Sequence, residues 1–380
     1  MAAEQVRPRV LMIVSKFFPA VGGTENQALL LCESLIKKGL DVSVLTRHVP
    51  GLPEQESVGS VPVHRSIRVI NKGKLFGVSY FLSCLCFLVV HRRKFDIIHC
   101  HILSGFHSLA AVLMKCVCGK KVIIKVSSTG FLSNFIELKN SLFGSCMIRF
   151  LRHADRLVTL CSQAFAEAAA QGFADTKIAV IPNGVDAGRF KPQQSQGSQR
   201  KRIVYVGSLV TTKGVDILID ALYSLRQEQQ EIALEIFGSG PAENQLKEKS
   251  AALGLADAVR FYGTVTDIEH YLGIPCIVVQ PSLSEGMSNV ILEAMAAGLP
   301  VVATRTGAAP DIIQDTVNGL LVDVGSAEQI HDAIGRLLAD EGFARRIGVQ
   351  ARASIESTYA IDIVAGQYLS LYRSLNGTSG

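Results

Sequence analysis

A chain of 380 residues, 48% of them apolar, is long enough for two domains with a core each. Its net charge of +5 hides an asymmetry: residues 1–185 carry 22 basic and 11 acidic side chains, the remainder 16 and 22. The basic residues are not interleaved with aromatics, Trp is absent and no nucleic-acid motif occurs, so a nucleic-acid partner is excluded in favour of an anionic membrane surface or a phosphate-bearing substrate.

Nine cysteines, eight of them before Val185, form no Cys-x-x-Cys pair and no ligand spacing with His, so a reducing compartment and no metal site are expected. Only five apolar residues, Val10 to Val14, precede Ser15 and Lys16, which is not a secretory signal. The expected location is cytoplasmic, or peripheral on the inner face of the membrane.

Val10 to Val14 reads as a first strand. The loop Ser15 to Gly23 leads to a helix opening at Thr24, with Gln27 completing a capping box and Gly39 ending it. Asp41 to Thr46, Asp96 to Cys100 and Lys121 to Val126 are further strands. Leu75 to Val90 is a 16-residue apolar stretch, short of a bilayer span, followed by His91-Arg92-Arg93-Lys94. It is expected as a buried helix, with an interfacial helix as the alternative.

The first domain closes near Pro182 to Asp186, and the polar stretch Lys191 to Arg202 reads as a linker. Strands at Ile203–Gly207, Ile232–Phe237, Val259–Phe261, Cys276–Gln280, Pro300–Thr304 and Leu320–Val322, each followed by a turn and a helix, predict a second doubly wound unit. The domains expected are 1–187 and 200–358. A C-terminal segment, 359–380, is helical from Tyr359 to Leu375.

The densest chemistry lies in Pro281-Ser-Leu-Ser-Glu-Gly-Met-Ser-Asn-Val-Ile-Leu-Glu-Ala-Met-Ala-Ala-Gly-Leu-Pro300. Were Glu285 and Glu293 both on one helix, they would lie about 12 Å apart along its axis and share a face. That is too far for a hydrolase pair, which needs about 5 to 9.5 Å. It suits the two ends of one long ligand. The backbone N–H groups of Gly286, Met287, Ser288 and Asn289 would form a helix N-terminus that favours a diphosphate.

Lys213 follows a strand in Val-Gly-Ser-Leu-Val-Thr-Thr-Lys-Gly and is expected at the start of a helix, where it can neutralise a phosphate. Gly238-Ser-Gly240 hints at a dinucleotide fingerprint, but the sixth position is Glu243, which argues against a nicotinamide dehydrogenase. No Asp-x-Asp occurs, so the usual carboxylate clamp for a divalent metal on a nucleotide sugar is missing. His99 and His101 stand at a strand end, where contact with an acceptor and a purely structural role are both open.

The string from Pro281 to Thr304, with its Glu-x7-Glu, resembles the retaining glycosyltransferases of family 4, and the resemblance covers nearly the whole chain. It implies an α/β GT-B fold of two facing Rossmann-like domains with an interdomain ligand cleft, the C-terminal helix packing back on the first. It implies a nucleotide-sugar donor, no cofactor, and transfer to a glycan or lipid-linked acceptor. Glu285 would position the donor sugar and Glu293 the ribose. Gly22 and Gly23 would lie against the diphosphate, and Thr264 and Val265 beside the base. Two positions depart from the family: Ser208 stands where an Arg usually shares the diphosphate, and Ser127 where many members have a His against the sugar. They leave open a catalytically weak nucleotide-sugar binding subunit, with another GT-B enzyme such as an epimerase as a further alternative.

Overall fold

The computed structural model describes residues 8–19, 22–73, 75–130, 133–141, 143–192, 202–228 and 231–377. Residues 193–201 of the expected linker and 20–21 of the first loop lie outside them. The chain divides into two compact units: unit 1 runs to Gly184 and resumes at Ile361, and unit 2 comprises Val185–Ala360.

Unit 1 is built on an eight-stranded sheet: β1 (Arg9–Ile13), β2 (Asp41–Arg47), β3 (Gln55–Val58), β4 (Val61–Ile67), β5 (Ile97–Cys100), β6 (Lys121–Lys125), β7 (Arg156–Thr159) and β8 (Ile178–Val180). Their order is β3-β4-β2-β1-β5-β6-β7-β8. All neighbours are parallel except the β3–β4 hairpin. A sheet buried on both faces explains why these strands read as continuous apolar runs. Along β1, Val10 and Met12 enter the core shared with α1 (Gly23–Lys37) and the C-terminal helix Ile361–Leu375. Leu11 and Ile13 enter the core on the other face, with α2 (Leu75–Val90) and α3 (Phe106–Cys118). α2 keeps its expected bounds, and Tyr80, Cys84, Phe87 and Leu88 are its buried side. No helix among the described residues is long and apolar enough to cross a membrane.

Unit 2 has six parallel strands: β9 (Arg202–Val206), β10 (Ala233–Phe237), β11 (Val259–Gly263), β12 (Ile277–Gln280), β13 (Val301–Thr304) and β14 (Leu320–Val322). The order β11-β10-β9-β12-β13-β14 reverses direction between β9 and β12. In a doubly wound sheet, loops leaving the carboxyl ends of the strands at that reversal form the ligand crevice.

One local expectation fails. α1 starts at Gly23 with Gly22 as its N-cap and no side-chain cap, so there is no capping box. The Gln27 amide instead donates to the Gly184 carbonyl at 2.8 Å and accepts from the Gly184 N–H at 3.1 Å. A buried, fully used amide outcompetes a cap at an exposed helix end. Gln27→Ala should therefore lower stability by about 1 to 3 kcal/mol, because Gly184 is left with two unmet backbone groups. Urea unfolding followed by circular dichroism checks this; an unchanged midpoint would contradict it.

Candidate active site

The two loops at the reversal point of unit 2 are locked to each other. After β9, Thr211–Lys213 forms a single 3-10 turn, and Gly214 takes φ +65° before the helix Val215–Glu228. Lys213 therefore sits just ahead of that helix. A Cβ on Gly214 would lie 2.2 Å from the Pro281 carbonyl oxygen, so the approach of the loops requires glycine. The Leu283 N–H donates to the Thr212 carbonyl at 2.8 Å, and the Thr304 hydroxyl to the Ser282 carbonyl at 2.6 Å.

Across this junction the Lys213 ammonium is ion-paired with the Glu285 carboxylate, both side chains partly buried. The Ser282 hydroxyl lies 3.4 Å from the same carboxylate oxygen. Beyond Glu285, the Ala308 N–H donates to the Gly286 carbonyl at 2.8 Å. Gly307, at φ +56°, leaves no room for a Cβ against the Glu285 and Gly286 carbonyls.

The Glu293 helix spans Asn289–Ala296, with Ser288 as N-cap. Only Glu293 is on it. Glu285 lies in the loop before it, so the 12 Å axial spacing does not apply. Gly286, Met287 and Ser288 are buried in the turn between the two acids, and Asn289 is partly exposed.

Sequence reading missed the surroundings of Glu293. Burial raises its carboxyl to about 7; the nearby Arg189 charge pulls it down and Glu269 pushes it up. Arg189 donates to Glu269 at 2.8 Å, which raises the guanidinium and lowers the Glu269 carboxyl. No motif marks Arg189 or Glu269, since they meet only in the fold.

The loops after β9, β10 and β11 are equally close. A Cβ on Gly238 would lie 1.9 Å from the Gly207 carbonyl oxygen, and one on Gly240 2.3 Å from that of Leu209. The buried Tyr205 hydroxyl donates to the Ser208 carbonyl at 3.0 Å, leaving Ser208 exposed. The hydroxyls of Ser239 and Thr264 are 2.9 Å apart; Thr264 is exposed and Val265 partly so.

In unit 1, Gly22 is extended at φ −152° and needs no left-handed conformation. A Cβ there would meet only the flexible Glu25 carboxylate, so its backbone geometry does not demand glycine. Ser127 is partly exposed, its N–H and hydroxyl 3.0 and 3.3 Å from the Asn134 side-chain oxygen. His101, for which acceptor contact and a structural role were both open, is buried. It is 1% exposed, against Met12 and 4.6 Å from the His99 ring, and burial lowers both imidazoles. The His99 ring bonds to the Tyr372 hydroxyl at 2.8 Å.

Two family models cover the chain in succession: Glycosyltransferase Family 4 matches residues 21–189, and Glycosyl transferases group 1 matches residues 187–354. A D-inositol 3-phosphate glycosyltransferase from Corynebacterium jeikeium is 30% identical over 87% of this chain and 86% of its own. A GDP-mannose-dependent phosphatidylinositol monomannoside mannosyltransferase from Mycobacterium tuberculosis is 34% identical over 51% of this chain, which spans 55% of that protein. The structure of Anabaena HepE with UDP-glucose superposes with a TM-score of 0.78 at 18% identity, covering 97% of this chain and all of that one. The chain belongs to the family 4 glycosyltransferases and has their GT-B fold. It is a glycosyltransferase.

The Glu293 environment has a consequence for stability. A carboxyl raised from 4.5 to about 7 holds more protons folded than unfolded between those values, so stability falls as pH rises through that window. Glu293→Gln should flatten this part of the pH profile. Thermal unfolding of both proteins from pH 5 to 8 checks it, and parallel profiles would contradict it.

Proposed function

We propose that this enzyme moves a sugar from a nucleotide diphosphate donor to a hydroxyl of a lipid-linked or cell-surface glycan precursor, with retention at the anomeric carbon and without a metal. The observation that carries the reading is the Lys213–Glu285 pair, fixed at the reversal point of the sheet beside the start of the Glu293 helix. The diphosphate lies against the turn Gly286 to Asn289, where the helix end favours negative charge. As the bond from the anomeric carbon to the diphosphate oxygen breaks, Lys213 neutralises the charge developing on the leaving group. Glu285 orients both that ammonium and the donor sugar. The acceptor hydroxyl bonds to the anomeric carbon on the face the diphosphate leaves and passes its proton to the departing phosphate oxygen.

Glu293 accepts from the ribose hydroxyls, and Thr264 and Val265 border the base. Gly22 and Gly23 keep the diphosphate role that the family resemblance gives them, and Ser127 a contact with the sugar. The UDP-glucose complex of HepE and the GDP-mannose donor named for the mycobacterial enzyme support a nucleotide-sugar donor. The phosphatidylinositol acceptor in the latter's name supports a lipid-linked acceptor. A second reading, a nucleotide-sugar binding subunit of low turnover, is favoured by Ser208, which supplies no cation where the family has Arg.

Incubation of purified protein with UDP, GDP and ADP sugars and a lipid-linked acceptor, followed by proton NMR of the anomeric centre, tests the proposal. Transfer with the donor's configuration kept is expected; an inverted product, an epimerised donor, or binding without turnover would overturn it. Glu293→Ala should weaken donor affinity and Glu285→Ala chiefly lower kcat, each by about 1.5 to 3 kcal/mol, the cost of a charge-assisted hydrogen bond. Initial rates and donor titrations with both variants check this; wild-type values in both would sink the assignment. Activity should survive EDTA, since Lys213 and the helix end take the place of a divalent ion, and an absolute requirement for Mg²⁺ or Mn²⁺ would refute that.

A further inference from the structure

We propose that the outer face of α2 docks on an anionic lipid bilayer. The inference rests on the reading of a lipid-linked acceptor and names the surface of unit 1 that meets the membrane. None of the 16 residues of α2 is charged, so both sides of the helix are apolar, yet the core uses only one. Leu75, Val78, Leu82, Cys86, Val89 and Val90 are exposed. Leu75, Val78 and Leu82 are 53%, 56% and 56% exposed. At about 100° per residue the six positions fall within an arc of about 120°, opposite the buried side, and form one stripe along the helix. Soluble monomers rarely leave such a continuous apolar strip in water.

Charge selects the occupant. Exposed Lys72 precedes the helix, and exposed Arg92, Arg93 and Lys94 follow it. No acidic side chain forms an ion pair with any of the four among the described residues. Two copies meeting through this stripe would bring basic ends against basic ends. A bilayer with anionic headgroups instead takes the apolar stripe at the acyl boundary, while the long basic side chains reach the phosphates.

The test is co-sedimentation of the full chain with phosphatidylcholine vesicles, with and without phosphatidylglycerol, at low and high salt. Wild type is expected to bind the phosphatidylglycerol vesicles and to be released by salt. Val78→Glu/Leu82→Glu alters only solvent-facing positions, and Arg93→Glu/Lys94→Glu reverses two end charges. Each should weaken binding by at least about tenfold while the melting temperature and donor turnover in vesicle-free buffer stay at wild-type values. Several results would overturn the proposal: wild type failing to bind, wild type binding both vesicle types equally, or either folded variant binding as wild type does. A wild-type dimer dissociated by Val78→Glu/Leu82→Glu, with no vesicle binding, would assign the stripe to a second copy. Donor turnover is read separately: its absence with vesicle binding intact would overturn the proposed activity and leave the surface standing.

Discussion

The ion pair between Lys213 and Glu285 joins the two loops around which the rest of unit 2 is arranged. An ammonium and a carboxylate held in partly buried loops are favourable only if their geometry is fixed, because each loses solvation. The backbone supplies that geometry. Gly214 meets Pro281 without a side chain, Thr212 receives Leu283, and Gly307 lets the chain pass under Glu285. The consequence is preorganisation: the cation is placed by the sheet topology before any ligand arrives.

The same topology explains why charge is distributed as it is around the second acid. Arg189 is committed to Glu269 and reaches Glu293 only through space. Glu293 is therefore left with burial as its main influence and holds its proton unusually well. A carboxyl in that condition can donate a hydrogen bond as well as accept one, a flexibility that a fully ionised acid lacks.

Much of the frame was legible in the sequence because parallel strands buried on both faces announce themselves as apolar runs. The strands containing Met12, Val44, Ile98 and Ile123, and all six in unit 2, lie within one or two residues of their expected bounds. The hairpin Gln55–Val58 with Val61–Ile67 escaped because its first strand is polar and lies at the sheet edge. Ile178–Val180 escaped as the opposite edge strand, none of its residues fully buried, and Arg156–Thr159 because only Leu157 and Val158 of its four residues are apolar. In unit 2 the sequence placed Lys213 and Glu285 in the loops after β9 and β12, where they are ion-paired, because each stands a few residues past an apolar strand. The burial of His101 and the true partner of Gln27 were not legible, for the opposite reason. The cover over the His99–His101 pair includes Tyr368 and Tyr372, more than 260 residues away, and the partner of Gln27 is Gly184. Local spacing holds no record of such meetings.

Gly184 also marks where the chain leaves unit 1, and its surroundings hold the point of exit beside the point of return. A Cβ on Gly184 would lie 2.9 Å from the Ile361 Cα, so the last residue before unit 2 and the first after it are packed together. On the far side of the junction the Val185 N–H donates to the Tyr359 carbonyl at 2.9 Å, and Val185 bridges Ala360. Unit 2 is thus a domain whose two ends are already neighbours. Residues 185–360 could be excised with their termini side by side, and unit 1 closed by a linker of about two residues, given roughly 3.8 Å per residue. In topology the polypeptide is one Rossmann-like domain interrupted by another, with the entry and exit of the interruption brought together.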